Sequence, residues 1–150
     1  MELYTDGGAA PNPGFGGIGV YSKEQNIQHY LGFAYATNNQ MEIIATIEGY
    51  LQFEKLGIST GNIITDSKYV MSGVNEWSIK WKKTNYKGIK NKELWEKLLY
   101  LSEKYPNIKI SWVKGHSLIH GNEMADELAT YGVTSKSTET IEEYIEKLTK

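Results

Sequence analysis

The hydrophobic and polar positions of this chain alternate between two periods, and the switches between them mark out the elements. Leu3 to Asp6 reads as a strand running into Gly7-Gly8-Ala9-Ala10-Pro11-Asn12-Pro13-Gly14, a stretch dense in turn formers. Ile18 to Ser22 and His29 to Ala36 read as two further strands, and three strands in succession predict an antiparallel meander. From Asn38 to Leu56 the apolar residues Ile43, Ile44, Ile47, Tyr50 and Leu51 recur at helical spacing. Asn38 or Asn39 is the expected N-cap of this helix, Gly57 its stop, and Glu42 is expected in its first turn.

Asn62 to Thr65 is a short apolar strand ending at Asp66, and Ser67 to Val74 is a short helix. Lys92 to Lys104 carries Leu94, Leu98 and Leu101 on one helical face, with Pro106 beyond its end. Ile108, Ile110 and Trp112 alternate in a last strand, which opens into Lys114-Gly115-His116-Ser117 before a helix from about Asn122 to Tyr131. Ile141, Tyr144, Ile145 and Leu148 make an amphipathic C-terminal segment, read as a helix packing on its own domain. The order β-β-β-α-β-α-α-β-α predicts one mixed sheet covered by helices, an α/β fold.

Composition narrows the function classes. At 150 residues and 40% hydrophobic the chain suits a single domain, residues 1–150, with a substantial core. Cysteine is absent, which excludes disulfides and thiolate metal sites. No run approaches the roughly 18 apolar residues of a membrane span or a signal-peptide core, so no membrane partner and a cytoplasmic location are expected.

Charge is unevenly spread. The net value is −2, yet Lys80, Lys82, Lys83, Lys87, Lys90 and Lys92 fall in a stretch without a single acid, leaving the rest of the chain acidic. Such a patch is an electrostatic footprint for a polyanion, although a lysine run is also a common solvated surface. Every basic residue among the 16 is lysine, so phosphates would meet point charges, and guanine readout by arginine is excluded.

The acids are equally telling. Aspartate occurs only as Asp6, Asp66 and Asp126, while glutamate is plentiful. Asp6 and Asp66 follow predicted strands, and Asp126 lies inside a predicted helix. If the two strands are neighbours, their carboxylates stand side by side at the carboxyl end of the sheet, where sites form in open α/β folds. Glu42 and Asp126, facing inward from helices, would complete a cluster of four acids, an arrangement sensible only with bound cations. Taken singly, each residue has a plainer explanation: a turn or cap for Asp6 and Asp66, the helix dipole for Glu42, a solvated charge for Asp126, and a loop residue for His116.

Together they form a recognisable set. Tyr4-Thr5-Asp6-Gly7-Gly8 with Asn12-Pro13-Gly14, then Thr37-Asn38-Asn39-Gln40-Met41-Glu42, then Thr65-Asp66-Ser67, then Trp112-Val113-Lys114-Gly115-His116 and Gly121-Asn122-Glu123-Met124-Ala125-Asp126 strongly resemble the type 1 ribonuclease H family. The resemblance runs from about residue 2 to residue 132. It implies a ribonuclease H-like fold whose five-stranded mixed sheet has three antiparallel and then two parallel strands. Residues 1–132 would be the catalytic body, 77–92 a basic protrusion and 138–149 the C-terminal amphipathic segment.

What the resemblance implies about chemistry follows position by position. Asp6, Glu42, Asp66 and Asp126 match four metal-ligating carboxylates that hold two Mg²⁺ ions, or Mn²⁺, at the scissile phosphate of RNA paired with DNA. One ion activates an attacking water and the other stabilises the leaving 3′ oxygen, with the ions about 3.5–4 Å apart. Cleavage would be independent of sequence and leave 5′-phosphate and 3′-hydroxyl ends. His116 matches a mobile-loop histidine that assists proton transfer or product release, and Glu123, on the same helical face as Asp126, matches an acid near the second metal.

For the substrate, Asn12, Asn38, Asn39 and the Gly7-Gly8 backbone suit the consecutive 2′-hydroxyls of an RNA minor groove. Thr37, Asn38 and Asn91 resemble a pocket for a phosphate of the DNA strand. The protrusion, with Lys80, Lys82, Lys83, Lys87 and Lys90 interleaved with Trp77, Trp81 and Tyr86, would grip the hybrid's backbone with strong salt dependence. Trp77 and Trp81, four residues apart, would equally suit packing that protrusion onto the body. The Met1 start and the segment beyond Tyr131 favour a stand-alone, monomeric enzyme without a preceding hybrid-binding domain. The alternatives are a domain serving a reverse transcriptase or mobile element, and a hybrid-binding module without catalysis.

Overall fold

The computed structural model describes residues 1–115 and 118–149. Strands β1 (Glu2–Ala10), β2 (Gly14–Ser22) and β3 (Ile27–Ala36) form the expected antiparallel meander. Strands β4 (Gly61–Thr65) and β5 (Ile108–Trp112) join in parallel on the other side of β1, giving the order β3-β2-β1-β4-β5. β1 is thus the strand at which the antiparallel half of the sheet meets the parallel half.

β1 is longer than its sequence suggested. Gly7 to Ala10, expected in a turn, pair with β2 from Gly7↔Ile18 to Ala10↔Phe15, and the turn shrinks to Pro11–Pro13. Glycine and alanine have little strand preference of their own, but pairing against a neighbouring strand overrides propensity.

Helix α1 (Asn38–Leu56) lies where its periodicity put it, but neither Asn38 nor Asn39 caps it. Thr37 does so, accepting from the Gln40 N–H at 3.1 Å while the Gln40 side chain accepts from the Thr37 N–H at 3.0 Å. Glu42 consequently sits in the second turn and not the first, and the helix N-terminus no longer accounts for its position. The short helix after Asp66 is α2 (Lys68–Ser72), followed by a π-helical turn (Gly73–Trp77) and α3 (Ser78–Lys83). Then come α4 (Lys92–Lys104), α5 (His120–Thr134) and α6 (Ile141–Leu148).

Two helices cover opposite faces of the sheet. Leu3, Ile18, Val20 and Ile63 turn to one face and join Ile43, Ile44, Ile47 and Tyr50 of α1 in the main core, with Leu94, Trp95 and Leu98 of α4 behind them. Alternate residues Tyr4 and Tyr21 turn to the other face and meet Ala125 and Leu128 of α5. Gly19 is required there, because a Cβ would overlap the Ala125 carbonyl oxygen. Gly17 and Gly19 on this face of β2 let the backbone of α5 lie close on the sheet.

The C-terminal segment belongs to the same body. Thr140 and Glu143 form a capping box for α6, Ile141 and Tyr144 are buried, and the Tyr144 hydroxyl donates to Glu48 Oε2 at 2.5 Å. Glu48 Oε1 meets His29 Nε2 at 2.8 Å, so β3, α1 and α6 share one buried polar junction. The expectation that this helix packs on its own domain is met. Among the described residues, no helix is long and apolar enough to cross a membrane.

Candidate active site

The parallel ladder between β1 and β4 ends at Thr5↔Thr65. Asp6 and Asp66 are the next residue on each chain, so both leave the paired region at one level. Thr65 also helps to fix the turn, its Oγ1 accepting from the Ser67 N–H at 3.1 Å. Asp66 is held by its backbone, since its carbonyl accepts from Trp112 Nε1 at 3.0 Å.

Glu42 reaches the same point from α1. Gly7 faces the Met41 carbonyl so closely that a Cβ would overlap it, and this approach of helix to strand brings Glu42 beside Asp6. One carboxylate oxygen each from Asp6, Glu42 and Asp66 lies within 4.8 Å of the others. Asp126, although exposed on α5, comes within hydrogen-bonding reach of the Asp6 carboxyl and lines the same cleft of about 400 Å³. Sequence reasoning gathered these four acids, and the structure brings all of them together.

Electrostatically the cluster is unfavourable by itself. Burial first, then Glu42, Asp66 and Asp126, push the Asp6 carboxyl far above the usual carboxylate range. Burial and Asp66 push Glu42 up as well, against partial relief from the Gly7 N–H. Among the described residues, Glu42 Oε1 is buried with no hydrogen-bond partner. An orphaned buried carboxylate oxygen beside two further acids is the donor set that a hard divalent cation satisfies.

The other expected residues divide into groups. Asn12, Thr37, Asn38, Asn39, Trp81, Lys90 and Asn91 line one cavity of about 620 Å³ beside the acids. Asn12 Oδ1 accepts from the Asn38 N–H at 3.1 Å, and Asn38 Oδ1 accepts from the Ala9 N–H at 2.8 Å. Asn91, in the left-handed region at φ 59°, accepts from Gln40 Nε2 at 3.2 Å. With the amide oxygens engaged, the three NH₂ groups are left as donors suited to phosphate or hydroxyl oxygens.

Trp77 and Trp81 join an aromatic stack within the protein, with Trp77 still 37% exposed. Trp81 lies 4.9 Å from Trp95 and 5.7 Å from Trp77 between ring centroids, and Tyr69 joins them from α2. This aromatic stack anchors α3 to the body, and the exposed Lys80, Lys83, Lys87 and Lys90 project from the anchored segment. Lys82 pairs with Glu103 and Lys92 approaches Glu96 at 3.8 Å, so part of the lysine run is turned to the protein's own acids. Tyr86 is half-buried, its N–H donating to the Trp81 carbonyl at 2.7 Å.

Glu123 stands in the exposed first turn of α5 and does not line the acid cleft. His116 lies outside the described residues. Its neighbour Gly115 sits against Asp66, where an added Cβ would meet Asp66 Oδ2 at 3.1 Å. Ser67, Lys68 and Tyr69 also line the acid cleft, and sequence reasoning passed over them. Their adjacency to Asp66 was the available signal.

A five-stranded mixed sheet with carboxylates converging at the β1–β4 rim, an α1 glutamate between them and an α5 aspartate closing the cluster defines a ribonuclease H-like α/β domain whose acids suit a divalent cation. Residues 1–134 match the RNase H family model, and the chain belongs to that family. It is 43% identical to ribonuclease H of Ruthia magnifica over 91% of this chain and 97% of that protein. It is 39% identical to ribonuclease H of Pseudomonas fluorescens over 89% of this chain and 91% of that one. The crystal structure of LC9-RNase H1, described as a type 1 RNase H with the type 2 active-site motif, superposes with a TM-score of 0.76 at 23% identity, over 91% of this chain and 72% of that chain, a likeness of fold.

Proposed function

We propose that this chain is an endonuclease that hydrolyses the RNA strand of RNA/DNA hybrids without regard to sequence, leaving 5′-phosphate and 3′-hydroxyl ends. The observation that carries the reading is the convergence of Asp6, Glu42 and Asp66 within 4.8 Å around an unpartnered buried oxygen of Glu42. Asp6, Glu42, Asp66 and Asp126 hold the cations, two Mg²⁺ per site with Mn²⁺ as a substitute. When bound, such ions supply Lewis-acid activation of water and stabilisation of a leaving oxygen.

The chain's own residues do the positioning. The NH₂ groups of Asn12 and Asn38, with Asn39 and the Gly7-Gly8 backbone, meet the RNA strand, whose 2′-hydroxyls distinguish it from DNA. Thr37, Asn38 and Asn91 hold a phosphate of the DNA strand in the adjoining cavity. Lys80, Lys83, Lys87 and Lys90 attract the hybrid's backbone. His116 assists proton transfer or product release, and Glu123 contributes negative charge on α5. The four carboxylates come from one chain, which suits a monomer, and the cytoplasm is its place of action.

The test is cleavage of a 5′-labelled RNA strand offered as RNA/DNA hybrid, RNA/RNA duplex and single strand, with Mg²⁺ or EDTA, for wild type and Asp66→Asn. Hybrid-only cutting that needs the metal and that Asp66→Asn loses supports the reading. Equal attack on all three substrates, or binding without cutting, overturns it.

A further inference from the structure

The acid cleft has a cation on its wall. Lys68 lines the cleft directly after Asp66-Ser67. Its side chain is exposed, and its Nζ lies 5.2 Å from the centroid of the Trp112 ring. Its ammonium is thus placed at the rim of the cleft, over an aromatic face.

The surface beneath it is fixed. Trp112 spends its only donor on the Asp66 carbonyl at 3.0 Å, and 41% of the residue remains exposed. The indole is thus tied to the backbone of a cluster acid and presents a face to solvent. A cation over such a face is held loosely in place while keeping its protons outward. Exposed Lys114 follows two residues on. Asn12, Lys90 and Asn91 line the adjoining cavity and not the acid cleft, so Lys68 offers a cation on a different wall.

Building on the ribonuclease reading above, we propose that Lys68, seated on Trp112, is a substrate-positioning residue that binds a backbone phosphate of the cleaved RNA strand next to the carboxylate cluster. A lysine is a point charge, so the contact adds grip and register without sequence preference. Removing it should raise KM more than it lowers kcat and should flatten the salt dependence by about one phosphate contact.

The experiment measures kcat, KM and the slope of log Kd against log salt on an RNA/DNA hybrid, with binding followed in EDTA. The variants are Lys68→Met, Lys68→Arg, Trp112→Leu and the control Asp66→Asn. For Lys68→Met the expectation is a KM raised roughly three- to tenfold, kcat lowered by less than about twofold, and a salt slope smaller by about one, with Lys68→Arg close to wild type. Trp112→Leu, which also removes the hydrogen bond to the Asp66 carbonyl, should combine a weaker form of the KM defect with a loss in kcat. Unchanged KM and salt slope in Lys68→Met, or a loss confined to kcat, overturns the proposal. Failure of the wild type to cut hybrids is a different result, since it removes the ribonuclease reading itself.

Discussion

Thr5 and Thr65 are the last paired residues of the parallel β1–β4 ladder, and the aspartate that follows each of them enters the acid cluster. Two carboxylates separated by 60 positions are thereby fixed at one level by backbone hydrogen bonds. Neither depends on a flexible loop for its placement. The cost is mutual repulsion, and the first expectation follows from it.

Asp6→Asn should abolish hybrid cleavage, by a factor of at least about a thousand, and should also stabilise the metal-free protein. Asp6 and Glu42 have folded-state pKa values above their unfolded ones. Such groups bind protons more tightly when folded, so stability falls as pH rises through the ordinary carboxylate range toward the raised values. In EDTA the wild type should therefore melt lower at pH 8 than at pH 5.5 as far as these groups contribute. At pH 8 Asp6→Asn should melt higher than wild type by on the order of 1–3 kcal/mol, or a few degrees for a chain of this size. Mg²⁺ should raise the wild-type Tm more at pH 8 than at pH 5.5. Melting curves by circular dichroism check all three, and a metal-free Asp6→Asn that melts below wild type at pH 8 contradicts them.

Gly7→Ala tests the approach of α1 to β1. The new methyl group meets the Met41 carbonyl, so the helix must withdraw and take Glu42 with it. The overpacking should cost roughly 1–3 kcal/mol of stability. Activity should fall more than tenfold even well below the variant's Tm, because a displacement of about 1 Å in a catalytic geometry is felt strongly. Gly8→Ala is the control, since its Cβ finds only Asn38 Oδ1, at 3.6 Å.

The lysine run should be unequal in its effects. Lys80, Lys83, Lys87 and Lys90 are exposed, whereas Lys82 pairs with Glu103. Alanine at any of the first four should weaken hybrid binding and reduce the salt slope by up to about one each. Lys82→Ala should do less, because it removes a charge already shared with a neighbouring acid. Titrations of labelled hybrid at several salt concentrations decide the order.

Tyr144→Phe should destabilise the protein without disabling it. Its hydroxyl donates to buried Glu48, which also meets His29, and loss of a hydrogen bond to a buried charge costs roughly 1–3 kcal/mol. The junction lies on the β3 side of α1, remote from the cleft-lining residues, so kcat/KM at low temperature should stay within about twofold of wild type. Urea unfolding beside a hybrid-cleavage assay separates the two readouts.

The sequence by itself determined the element order apart from α3, the mixed sheet and the identity of the four acids. Periodicity reports which side of an element is buried, and a chain with only three aspartates makes each of them conspicuous. Some features were beyond local reading. The extension of β1 through Gly7 to Ala10 depends on β2 as a partner, and residues with weak strand preference carry no sign of it. The cap at Thr37 depended on a reciprocal bond with Gln40, which the neighbouring asparagines obscured. Only the tertiary structure decided that Trp77 and Trp81 stack within the protein, that Lys82 turns to Glu103, and that Lys68 rests on Trp112 beside the acids. These relationships join positions distant in the chain, and their energies arise from packing and charge proximity that exist only once the sheet and its helices have closed together.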